Sequence, residues 1–185
     1  MASSTKKALA EALKKTMTVK PIDKITVNDL VESCGVSRQT FYYHFDDVYD
    51  LLEWVFEEDA NANLPKEVVY DNWKRDVTLW FKYLYDNSAF ALNVYDSNSR
   101  LYMLRYIRGR LRDCIRSFSE IVAENRSIDR QDFEFIVEFY SHIVVGLIAQ
   151  WMDQGMQLPR EITAEKVLKV LDNSIEDMMA KFQKD

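Results

Sequence analysis

The chain has 185 residues, 48% of them hydrophobic, with only four glycines and three prolines. So few breakers argue for long helices over a sheet with many tight turns. The net charge of −6 would exclude a uniformly basic nucleic-acid binder, but it is uneven: residues 1–45 hold seven Lys/Arg against four Asp/Glu, net +3, and the remainder carries −9. The head can therefore approach a polyanion, while the acidic body discourages non-specific binding elsewhere.

In chain order, Ala8, Leu9, Ala12, Leu13 and Met17 recur at helical spacing and predict a first helix over about Ser4 to Val19, stopped by Pro21. Thr26 with Asp29 three residues on forms a capping-box pair for a second helix, whose buried stripe is Val27, Leu30 and Val31. Gly35 suits the left-handed turn at its end. Ser37 caps a short third helix to about Phe45, anchored by Phe41 and Phe45. A fourth helix starts near Asp46 or Asp47 and ends near Asp59, followed by a loop over Asn61 to Pro65. Beyond it the pattern predicts a helix from about Lys66 to Tyr85, a break at Asn87-Ser88 and a short segment from Ala89 to Tyr95. Long helices follow over about Arg100 to Asn125 and Asp129 to Gln154. After a loop at Leu158-Pro159, Thr163 caps one final helix to about Phe182.

Helix, tight turn and capped second helix over Ile25 to Phe45 make a helix-turn-helix layout, with the first helix packing over it. The exposed residues of the second helix suit DNA. Arg38 can fork onto a guanine edge or a phosphate, Gln39 can pair with adenine, and Thr40 offers a hydroxyl and a methyl. Tyr42, Tyr43 and His44 supply polar tips for phosphates, and the helix start adds free backbone N–H groups.

The run Val36-Ser-Arg-Gln-Thr-Phe-Tyr-Tyr-His-Phe45 resembles the recognition segment of the TetR family of bacterial transcription regulators, and the likeness extends over residues 5 to about 56. The resemblance implies an all-α fold: an N-terminal three-helix DNA-binding head (1–50) on a helical C-terminal dimerisation and effector domain (51–185). It implies that Thr26, Ser37, Arg38, Gln39, Thr40, Tyr42, Tyr43 and His44 form the DNA surface. Ser37, Thr40, Tyr42 and His44 would touch the sugar-phosphate backbone; Arg38, Gln39 and Tyr43 would read bases. Family members often place a lysine at the start of the fourth helix. Here Val48 stands there beside Asp46 and Asp47, so that phosphate contact has no counterpart unless Val48→Lys restores it. The alternative is that Val48 packs against the first helix.

The resemblance also implies a homodimer on two-fold double-stranded operator DNA. Apolar stripes on the last two helices mark the surface expected to join the copies: Tyr140, Val144, Leu147 and Trp151 on one, and Leu168, Leu171 and Ile175 on the other. Gly146 allows close helix approach. Candidate effector-pocket residues are Trp80, Tyr83, Phe90, Tyr95, Tyr102, Tyr106 and Phe118. The arginines from Arg100 to Arg116 read first as a solvated face paired with acids and second as a face for an anionic effector. Trp73 to Tyr85, with Leu51-Leu52-Glu53-Trp54, is similar to the branch of the family that contains activators of dihydroxyacetone kinase operons, in which the sensor can be a partner protein. The control element is therefore expected to be an unknown small molecule or a partner protein, and a repressor is expected ahead of an activator.

Other classes are set aside. The two histidines, His44 and His142, lie on different helices, and no Gly-rich phosphate loop, paired metal-ligand motif or nucleophile motif is present. Neither catalysis nor a cofactor is expected. A helical protein-interaction module without DNA contact is the remaining alternative. The start, Met1 to Lys15, lacks the apolar stretch of a secretory signal. The longest apolar run, Ile143 to Ala149, is short of the roughly 18 residues of a membrane span. Cys34 and Cys114 read as buried free thiols in apolar helical patterns, so a cytoplasmic protein without membrane association is expected.

Overall fold

A computed structural model describes residues 2–63, 72–157 and 160–184, and among these residues the chain folds into ten α-helices. They fall into two units, one over Met1–Leu64 and Asn87–Leu101, the other over Pro65–Asp86 and Tyr102–Asp185.

The first unit holds α1 (Ala2–Met17), α2 (Val27–Cys34), α3 (Arg38–His44), α4 (Val48–Asn63) and α6 (Ser88–Tyr95). α1 packs against α2, α4 and α6. Leu9, Leu13 and Met17 of α1, Leu30 of α2, Phe41 of α3 and Leu51 and Leu52 of α4 are all buried. α4 and α6 thus belong to the same compact unit as α1, α2 and α3. α6 also supplies the backbone of the α1–α2 connection with partners. Asn93 accepts from the Ile22 N–H at 2.9 Å and donates to the carbonyls of Met17 (2.6 Å) and Lys20 (3.0 Å). Asp47 caps α4 by accepting from the N–H groups of Tyr49 and Asp50. α4 continues past Asp59, through part of the stretch expected to be a loop. Ala60 is buried there, and Asn63 donates back to the Asp59 carbonyl. Leu64 and Pro65 lie outside the described residues.

The second unit holds α5 (Trp73–Asp86), most of α7 (Arg100–Ala123), α8 (Arg130–Asp153), α9 (Arg160–Leu171) and α10 (Ser174–Lys181). α5 packs on α9 and α10 on α8. Phe118, Ile136, Tyr140, Ile175 and Met179 form a buried cluster. Most of the expected start of α5, from Lys66, lies outside the described residues, as does the Leu158-Pro159 loop. The one final helix expected from Thr163 is two. Thr163 lies inside α9, and the chain breaks before α10 at Asn173, whose φ of 58° is left-handed. Asparagine tolerates that region better than most residues.

α8 is long and apolar enough by composition to cross a membrane, a feature that counting one uninterrupted apolar run did not register. Its inner face, including Ile136, Val137, Ile148 and Trp151, is buried within the unit. Its Glu134 and Glu138 pair with arginines of α7. Arg116 donates to Glu134 at 2.9 Å, Arg112 approaches Glu134 at 3.5 Å and bonds Glu138, and Arg108 lies 3.8 Å from Glu138. The Arg116 hydrogen bond holds the Glu134 carboxyl below its usual range. Part of the arginine face is thus a paired, partly solvated ladder, and α8 serves as a core helix of this unit.

Candidate nucleic-acid interface

The geometry of α2 and α3 follows from local caps. Thr26 receives the Asp29 N–H at 3.3 Å, while Asp29 accepts from the Thr26 N–H at 2.7 Å and its hydroxyl at 2.8 Å. Lys20 completes the arrangement, 2.6 Å from the same Asp29 oxygen. The Lys20 hydrogen bond first, and the Thr26 donors second, lower the Asp29 pKa from 3.8 to about 2. Gly35 ends α2 at φ 68° and ψ 30°, and the Val36 N–H returns to the Val31 carbonyl at 3.1 Å. No atom lies near a Cβ placed on Gly35, so glycine is required there by backbone conformation and not by space. Ser37 then caps α3 by accepting from the Thr40 N–H at 3.0 Å, and its hydroxyl lies 2.9 Å from that of Thr40.

α3 has one buried edge and one open one. Phe41 and Phe45 are buried, with their rings 5.9 Å apart and Trp54 of α4 5.9 Å from Phe45. The Lys6 ammonium lies over both Phe45 and Trp54. Cys34 donates its thiol to the Ala8 carbonyl at 3.4 Å, and burial pushes that thiol's pKa up. Opposite this edge, Thr26, Ser37, Arg38, Gln39, Tyr42 and Tyr43 are exposed, and Thr40 and His44 are half-buried. Tyr43 is 81% exposed, far more than a packing spacer would be. All eight expected residues therefore line the outside of one helix-turn-helix. Arg38 is held ready: it donates to Asn28 Oδ1 at 3.1 Å and to the Tyr42 hydroxyl at 3.3 Å, with its guanidinium 5.9 Å from the Tyr42 ring centre. Asn28 was missed by the sequence reading. Its position in the first turn of α2, two residues after the Thr26 cap, was the available signal, but the bond to Arg38 depends on the angle between two helices. Val48 is only 7% exposed, so it packs into the head and does not stand at the surface awaiting a phosphate.

The other expected sites are redistributed. Trp80 and Phe118 line an apolar cavity in the second unit. Phe90 and Tyr95 do not. They lie in the first unit, with Phe90 set edge-on to Phe56 and Tyr95 beneath the Arg100 guanidinium. Tyr83, Tyr102 and Tyr106 are partly exposed and are not among the walls of that cavity. The residues expected to join two copies lie in different settings within the protomer. Tyr140, Val144, Trp151 and Ile175 are buried inside their own unit, and Tyr140 donates to the Ser174 carbonyl at 2.7 Å. Leu168 and Leu171 are half-buried, and Leu147 is exposed. The apolar side chains that α8 presents outward are Phe135, Phe139 and Leu147, with the first two rings stacked at 6.0 Å.

Comparison with known proteins converges on the same head. Residues 9–55 match the family described as bacterial regulatory proteins, tetR family, and residues 71–173, more than half of the chain, match a transcriptional regulator C-terminal region of TetR type. A relative from Lactococcus lactis subsp. lactis (strain IL1403), the HTH-type dhaKLM operon transcriptional activator DhaS, is 31% identical over 91 residues, covering 49% of this chain and 49% of the relative. The chain thus spans about half the length of that curated relative in the match. A solved structure described as dihydroxyacetone kinase operon activator DhaS superimposes with a TM-score of 0.75 at 18% identity, over 97% of this chain and 98% of that one, which shows a shared fold. With its capped helix-turn-helix and both family regions in place, the chain belongs to the TetR family of DNA-binding transcriptional regulators.

Proposed function

We propose that the protein is a sequence-specific regulator that binds a two-fold operator as a homodimer and is controlled by an effector. The observation that carries the DNA-reading part is the open edge of α3, where Arg38 and Gln39 are exposed beside a pre-oriented Asn28–Arg38–Tyr42 cluster. Base edges in the major groove are read by such forked and amide side chains, while hydroxyls hold phosphates. Thr26, Ser37, Thr40, Tyr42 and His44 are the proposed phosphate contacts, and Arg38, Gln39 and Tyr43 the proposed base readers.

The dimer reading is supported by exposed Phe135, Phe139 and Leu147 on α8 and by Val170 on α9. Phe135 and Phe139 stack on one another, and contiguous exposed apolar surface marks interaction sites. Gly146, beside Leu147, has open space around it, which leaves room for a second helix to approach. Control by a small molecule is supported by the cavity of the second unit, and a cytoplasmic location is proposed from the DNA-binding family. On the sign of regulation, the relative is described as an activator of a dhaKLM operon, which favours activation as a second reading beside the repression expected from the family at large.

Selection of random duplex DNA by the purified protein tests the core of the reading. Enrichment of an inverted repeat is expected. A selected pool no different from its input would overturn sequence-specific recognition.

A further inference from the structure

Within the second unit an apolar cavity of about 80 Å³ is bounded by α5, α7, α8, the end of α9 and the start of α10, with Trp73, Trp80, Phe118 and Tyr140 among its walls. One wall residue does not belong with the others. Asp76, in the first turn of α5, is 9% exposed. Its Oδ1 faces the exposed Arg75 side chain, whose Nε and terminal nitrogen donate to it at 3.3 Å. Its Oδ2 is fully buried and meets no hydrogen-bond partner among the described residues. Asp76 also lies close enough to Cys114, another wall residue, for its charge to help raise that thiol's pKa, behind the larger effect of burial.

We propose that this cavity takes a small ligand carrying a protonated amine on an apolar body, with Asp76 as its counter-charge. The proposal deepens the effector reading above and rests on it. An acid in the first turn complements the helix dipole, but an exposed acid does that equally well. The dipole gives no reason to bury Oδ2 in an apolar wall, where an unmet acceptor is costly. An ammonium supplies both the missing donor and the opposite charge. The faces of Trp73 and Trp80 attract cations in addition. An alcohol supplies a donor without charge, and a carboxylate is repelled. The volume is about half that of an apolar cavity of about 150 Å³ that accommodates benzene. A ligand body of about four carbons therefore fits the present shape.

The test uses the full chain and three probes of similar size: n-butylamine, n-butanol and butyrate. The indole N–H signals of Trp73 and Trp80 are followed by NMR titration and identified with Trp73→Phe and Trp80→Phe. The amine is expected to shift both signals with a Kd at least tenfold below that of the alcohol, and butyrate is expected to shift neither. Asp76→Asn keeps the shape and should collapse the amine preference to less than threefold. Asp76→Leu should lose amine binding and melt at a higher temperature than the ligand-free parent, because it removes the unmet acceptor. Equal affinity for amine and alcohol, a preference that survives Asp76→Asn, or signals that move with none of the probes would each overturn the proposal. Non-specific attraction to the acidic body is separated from the site because Asp76→Asn alters the net charge of −6 by only one. DNA selection on the same preparation separates the two readings. A protein that selects an operator but ignores butylamine retains the regulator reading and loses this site, and the converse result retains the site.

Discussion

Replacing Arg38 by alanine tests how the head reads DNA. In the free protein the guanidinium contacts Asn28 and Tyr42 at the surface, so its removal should change stability by less than about 0.5 kcal/mol. On the operator, a bidentate arginine–guanine contact is worth about 1–3 kcal/mol of discrimination. On the proposed two-fold site, two protomers would double this to about 2–6 kcal/mol, a loss of roughly thirtyfold to twenty-thousandfold in affinity. The loss should be confined to the preferred base at one position of each half-site. Asn28→Ala should act more mildly, because it frees the guanidinium without removing it. A cost of about 0.5–1 kcal/mol per half-site is expected, with base preference retained. Fluorescence anisotropy on the selected operator and on single-base variants, at several salt concentrations, measures both. A base-reading Arg38 leaves the salt slope nearly unchanged. If Arg38→Ala instead weakens every sequence alike and lowers the slope by about one per protomer, Arg38 holds a phosphate and the base-reading assignment is wrong.

Val48→Lys should bury an amine in the head and destabilise it by about 2 kcal/mol or more, seen as a lower melting temperature with no gain in DNA affinity. A variant that melts normally and shows a steeper salt slope would place Val48 at the phosphates after all. Leu147 is 36% exposed in the protomer, so Leu147→Glu should leave the fold intact while sedimentation shows monomers in place of dimers. An unchanged dimer would move the interface elsewhere. Asp29 has a depressed pKa of about 2, so its contribution to stability is complete above the ordinary value of 3.8 and is lost as pH falls through the lower one. The melting temperature should decline between about pH 4 and pH 2, and Asp29→Asn should flatten part of that decline. An identical acid profile in the variant would show that the Lys20–Asp29–Thr26 cluster does not stabilise the head.

The helix-turn-helix was legible in the amino-acid sequence. Caps and turns are local: Thr26 with Asp29, Gly35 and Ser37 sit within a few residues of the groups they satisfy, and the structure contains each of those contacts. The exposed edge of α3 was legible for the same reason, because Phe41 and Phe45 set its buried side one helical turn apart. The body was legible only as a succession of helices. α8 is apolar on more than one side, so its periodicity could not choose between Tyr140, Val144 and Trp151, which turn inward, and Phe135, Phe139 and Leu147, which turn outward. That choice depends on which neighbouring helices cover it. The burial of Val48, the clamp of Asn93 on the α1–α2 connection and the burial of the Asp76 carboxyl in an apolar wall join residues that are distant in the chain or depend on packing from several helices. No spacing rule encodes them, because each depends on how separate helices come together in space.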